Sequence, residues 1–76
     1  MNKMVYVDAD DWCGLYVNGK LVYEGHSIPT VTFAELMMNN QPIESFNMQC
    51  VNLDWIHERG NLPEDLNEVV FEYEEE

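Results

Sequence analysis

The sequence is poor in cations: three Lys and Arg stand against fifteen Asp and Glu, a formal net charge of −12. Phosphate backbones and anionic membranes are held by cationic side chains that displace counterions, so direct binding to nucleic acid or to a membrane surface is not expected. No eighteen apolar residues run together, which excludes a membrane-spanning helix. Acidic residues begin at Asp8, before an apolar stretch of signal-peptide length has accumulated, so the chain is read as cytoplasmic. Its two cysteines, Cys13 and Cys50, are then read as buried, reduced thiols. Gly-rich phosphate loops, dinucleotide fingerprints and basic patches interleaved with aromatics are missing, and nucleotide enzymes drop out with them. A chain of 76 residues buries only about 60% of the surface its unfolded state exposes. A deep substrate cavity would compete with the core for the same apolar side chains, so neither an enzyme nor a cofactor is expected.

What is present suffices for one compact domain over residues 1–76, with 74–76 frayed. Residues 4–8 read as a first strand. Asn18-Gly19, between Leu15-Tyr16-Val17 and Leu21-Val22-Tyr23, is the signature of a two-residue hairpin turn with φ > 0 at both central positions. That register places Tyr16 opposite Leu21, Leu15 opposite Val22 and Gly14 opposite Tyr23, with Tyr23 lying over Gly14. Both hairpin faces are apolar, so the hairpin is either covered on both sides or holds one face back for a partner. Thr32-Phe33-Ala34-Glu35 reads as a capping box that opens a helix with Phe33, Leu36 and Met37 inside, ending at Asn39-Asn40. Residues 45–51 alternate as a half-buried strand with Phe46, Met48 and Cys50 on one side. Asn52 caps a second helix, with a Val51–Ile56 staple at its start and Gly60 at its end. Residues 68–73 alternate as a last strand. The fold class is α+β, in the order β-β-β-α-β-α-β: a small, mostly antiparallel sheet with two short helices packed on one face.

Two segments, GLYVNGKLVYEGHSI (14–28) and DWIHERGNLPEDLNEV (54–69), resemble those of a family of short uncharacterised proteins of bacteria and their phages. In that family the hairpin with its following Gly-His-Ser, and the later helix ending in Glu-Arg-Gly before Leu-Pro, recur. The resemblance implies a single domain and a bacterial or phage setting, and brings no activity with it.

Several constellations invite chemistry. Asp8, Asp10 and Asp11 before Trp12 suggest a hard-cation site, but a calcium loop starting at Asp8 needs an oxygen ligand where Trp12 stands, Gly where Cys13 stands and Glu where Gly19 stands. An acidic turn is the plainer reading. His26 beside Ser27 suggests a base and a nucleophile, yet neighbours in sequence rarely reach that geometry, and a loop histidine that pins the hairpin is favoured. His57 sits beside Glu58 and Arg59 as a solvated helix residue. Cys13, His26, Cys50 and His57 lack the paired spacing of zinc ligands. No metal is expected.

Charge geometry remains. Residues 39–76 hold ten acids and one base, and seven of the thirteen residues from Glu64 to Glu76 are acidic. Solubility and protection of an edge strand explain this plainly. The sharper expectation is a non-catalytic, phage-encoded acidic protein that inhibits or redirects a bacterial host protein by docking on a basic surface, such as one built for nucleic acid and here met by a DNA mimic. Its contact charges are Glu64, Asp65, Glu68 and Glu72, with Asp8, Asp10, Asp11 and Trp12 as a second patch. The alternative is a small-ligand binder or sequestering protein with a pocket at a homodimer interface, lined by Tyr16, Tyr23, Trp12 and His26. A small metal-dependent hydrolase around Asp8, Asp10 and His26 is third.

Overall fold

The computed structural model describes residues 2–72. Along the chain lie β1 (Asn2–Asp8), β2 (Cys13–Val17), β3 (Lys20–Gly25), α1 (Thr30–Asn39), β4 (Ile43–Cys50) and α2 (Leu53–Arg59), followed by one 3₁₀ turn at Leu66–Glu68. The strands form one sheet in the order β3-β2-β1-β4. The β1–β2 and β2–β3 pairs are antiparallel and β1–β4 is parallel, so the sheet is mixed. The protein is α+β, as the sequence implies.

The hairpin forms where expected. Asn18 (φ 52°) and Gly19 (φ 83°) both occupy the left-handed region, as a type I′ turn demands. The Asn18 side chain also accepts from Lys3 N at 3.0 Å and donates to Asn2 Oδ1 at 2.8 Å, which ties the turn to the start of β1. Tyr16 pairs with Leu21 as predicted, but Leu15 then pairs with Tyr23 and Gly14 with Glu24, leaving Val22 as the extra residue of a bulge. The bulge sends Tyr23 to the face of Leu15 and Val17, away from Tyr16 and Leu21. The predicted cover of Gly14 by Tyr23 is therefore replaced: a methyl group at Gly14 would run into Leu62 Cδ1.

Two cores flank the sheet. Alternation along β1 sends Met4 and Tyr6 to one and Val5 and Val7 to the other. On the first face Met4, Leu15 and Val17 are covered by Phe33, Leu36 and Met37 of α1; on the second, Val7 and Tyr16 are covered by Ile56 of α2 and by Leu62 and Val69. The helices thus lie on opposite faces, not on one. A sheet apolar on both sides needs cover on both, and because β3 and β4 run parallel, the connection between them must cross one face.

Three local expectations are corrected. Helix α1 starts at Thr30 behind Pro29, whose carbonyl accepts from Phe33 N at 2.9 Å; no side chain caps it, and Thr32 and Glu35 lie inside the helix. Strand β4 starts at Ile43, and its apolar row is open rather than half-buried: Met48 is 70% exposed and Phe46 36%, because α1 reaches only the Phe46 edge through Phe33 (5.9 Å between ring centroids). The last strand, expected over residues 68–73, is reduced to one isolated bridge, Val51 with Phe71, and a second bridge joins Lys20 to Asp65 ahead of it. Leu66 and Val69, three residues apart, both turn into the core that holds Leu62, and that spacing suits a 3₁₀ turn rather than an extended chain. The rest of that strand, Tyr73, and the frayed end lie outside the described residues. Helix α2 matches its prediction: Asn52 Oδ1 accepts from Trp55 N at 3.1 Å, Val51 and Ile56 are buried together, and Gly60 (φ 90°) closes on Ile56 O at 2.7 Å.

Candidate functional site

Strands β1, β3 and β4 run the same way, so their carboxyl ends meet at one end of the sheet, where sites gather in open α/β sheets. The loop of residues 9–12 sits there. Asp8 Oδ1 accepts from Asp10 N at 3.1 Å, Asp10 takes φ 70°, and Ala9 N reaches Trp12 O at 2.8 Å. This compact turn leaves Asp8, Asp10 and Asp11 exposed. Glu72 joins the same end, its N–H donating to Cys50 O at 2.9 Å, and it shares a shallow depression with Asp54.

The predicted contact charges are consequently divided. Glu64 and Asp65 lie beside the hairpin tip, where Leu21 N donates to Glu64 O at 2.8 Å and Leu66 N to Gly19 O at 2.9 Å, and Glu68 closes the adjoining turn. The length of β1 holds this group roughly 20 Å from the loop at the other end. Asp65 is also committed within the chain: it accepts from Asn67 N at 3.0 Å and pairs with Lys20 at 3.8 Å. Lys3 pairs with Glu44 at 3.7 Å, and Arg59 lies over the Trp55 ring at 5.9 Å. Every Lys and Arg is engaged in this way, which leaves ten acids among the described residues without a cation.

At the acidic end the loop, the segment after β3 and α2 border a half-open cavity of about 340 Å³, lined by Asp11, Trp12, His26 and His57 over Ala9 and Ile56. His26 is held by Nδ1 at 3.0 Å from Asp11 O, and its ring meets Trp12 edge to face at 4.9 Å. Trp12 packs on the second core, and its Nε1–H is buried without a partner among the described residues. The sequence offered no means of joining His57 to His26, since 31 positions separate them and only the mixed sheet brings α2 beside the first loop.

Tyr16 and Tyr23, expected in the ligand pocket, belong to the scaffold. Tyr16 is fully buried and donates to Pro63 O at 2.5 Å, and Tyr23 donates to Ser27 O at 3.0 Å on the opposite face. Burial, then the nearby Glu24 carboxylate, pushes the Tyr16 phenol up to about 12. Burial, then Cys13, pushes Tyr6 up to about 12. Cys13 is buried, but Cys50 is exposed, contrary to expectation. Both flank Asp8 in the sheet, which sets them about 10 Å apart, beyond disulfide reach. Among the described residues no three His, Cys, Asp or Glu side chains are grouped to hold a metal ion, and no helix is long and apolar enough to cross a membrane. No family model, no curated protein and no solved structure matches the chain.

Proposed function

We propose that this chain is a non-catalytic acidic protein that docks on a basic surface of a protein partner through the end of the sheet bearing Asp8, Asp10, Asp11, Trp12 and Glu72. The observation that carries the reading is the state of the cations. All three are spent within the chain, and half of the ten acids without a cation gather at this one end. Such a surface is poorly self-compensated and attracts a basic counterpart over a range set by ionic strength. The resemblance of the two segments to bacterial and phage proteins supports a phage-encoded inhibitor acting in the bacterial cytoplasm, where a nucleic-acid-binding face is a natural target for a DNA mimic.

The test is capture of a basic protein from bacterial lysate, followed by titration with the purified partner across a salt series. The variant Asp10→Asn/Asp11→Asn/Glu72→Gln should bind more weakly and show a shallower salt dependence. Equal affinity and slope would reduce the acidic end to a solubility device. The open β4 row supports a second reading, a homodimer joined through Phe46 and Met48, since an exposed apolar strand at a sheet edge is a ready pairing surface.

A further inference from the structure

We infer that the cavity between the first loop and α2 is a socket for an arginine side chain presented by the partner. The inference rests on the docking reading for the source of that side chain, and on the cavity's own chemistry for its kind. Its walls combine one carboxylate, one indole and two imidazoles over an apolar floor. The size, about 340 Å³, lies at the small end of ligand pockets and suits a single planar group.

His26 sets the polarity of the wall. A main-chain carbonyl only accepts, so the proton shared with Asp11 O sits on Nδ1, and in the neutral form of the ring Nε2 is the acceptor. Asp11 adds a carboxylate, also an acceptor. Anions are repelled by Asp11 in the wall and by Asp10 beside it in the loop. The group that answers two acceptors and aromatic walls is a planar cation with donors only. A guanidinium offers five N–H donors in a plane and stacks on rings, whereas an ammonium is compact, strongly hydrated and cannot stack.

Trp12 supplies the second observation. Its Nε1–H is a buried donor with no partner among the described residues, so it takes an acceptor only when the loop shifts to expose it. A guanidinium has no acceptor to give. A peptide does, because its main-chain carbonyls accompany the arginine into the site. The wall therefore fits a peptide arginine better than a free organic cation.

The experiment is an NMR titration of the full chain, at low ionic strength, with Nα-acetyl-L-arginine amide and, separately, Nα-acetyl-L-lysine amide. The indole signal of Trp12 and the ring signals of His26 and His57 should move and saturate with the arginine amide. The indole of Trp55, which does not line the cavity, should stay in place. The lysine amide should need about tenfold more ligand or fail to saturate. Asp11→Asn keeps the carbonyl that holds His26 and should weaken the arginine response about tenfold. Equal responses to both amides, movement of Trp55 in place of Trp12, or indifference to Asp11→Asn would each overturn the socket. Capture of a basic partner that leaves Trp12 unmoved and survives Asp11→Asn would overturn the socket alone. Saturable arginine binding at Trp12 with no partner captured would support the socket and overturn the docking reading.

Discussion

Replacing Tyr16 with Phe isolates a single hydroxyl. The ring is fully buried and its oxygen donates to Pro63 O at 2.5 Å, a bond that joins β2 to the segment following α2. Phe keeps the packing and leaves the Pro63 carbonyl, itself buried, without a donor, which costs about 1–3 kcal/mol. A domain of this size is stable by only about 4–11 kcal/mol, so urea unfolding at pH 7 should register the loss, and each kcal/mol should lower Tm by about 4–8 °C. A second signature comes with pH. The phenol is pushed from its ordinary 10 up to about 12, so between those values the native state keeps a proton that the unfolded chain has released. That contribution is present in full below pH 10 and is lost as pH rises toward 12, on the order of 2 kcal/mol for this group. Phe cannot ionise. The difference between parent and variant should therefore shrink as pH is raised from 9 to 12, while the loss due to Tyr6, also pushed up to about 12, appears in both. Identical urea midpoints at pH 7 together with parallel alkaline profiles would refute the buried bond to Pro63.

Asn18→Ala/Gly19→Ala adds a Cβ in the left-handed region at Gly19 and removes the Asn18 contacts to Asn2 and Lys3, so thermal unfolding should show a loss of about 1–3 kcal/mol; an unchanged Tm would show that no such turn forms. Glu64→Gln and Glu68→Gln should leave stability within about 0.5 kcal/mol, whereas Asp65→Asn, which weakens the pair with Lys20, should cost up to about 1 kcal/mol that vanishes in high salt. Sedimentation at high micromolar concentration should show association that Met48→Lys abolishes; a monomeric parent would remove the homodimer reading.

Elements whose signals are local could be read from the sequence. Asn18-Gly19 demands its turn, and Asn52, Ile56 and Gly60 supply both ends of α2 within nine residues. The failures come where a distant partner decides. Nothing near Val22 announces the bulge, which reconciles Tyr16 and Leu21 on one core with Leu15 and Tyr23 on the other. Pro29 started α1 ahead of the capping box because its fixed φ suits the entry to a helix. The alternation of residues 68–73 imitated a strand, but Leu66 and Val69 turn into the core beside Leu62, which fills the space over Gly14. Asp8, Asp10 and Asp11 read locally as an acidic turn, whereas of the four residues expected around a ligand, Trp12, His26, Tyr16 and Tyr23, only Trp12 and His26 meet. The cavity was out of reach because it needs α2 on the face opposite α1.

The segment that follows α2 has a consequence for how the domain is born. It crosses one face from the edge at Lys20, where Asp65 pairs, to the edge at Val51, where Phe71 pairs, and Leu62 and Val69 complete the core on the way. A ribosome adding about 5–20 residues per second finishes the sheet before any of these residues exist. Until then Val7 and Tyr16 have only Ile56 of α2 over them, and the second core is incomplete. Premature termination between Asn61 and Phe71 leaves that sheet face short of Leu62, Val69 or both, the kind of apolar surface that chaperones and proteases act on, so only molecules synthesised past Phe71 bury it in full.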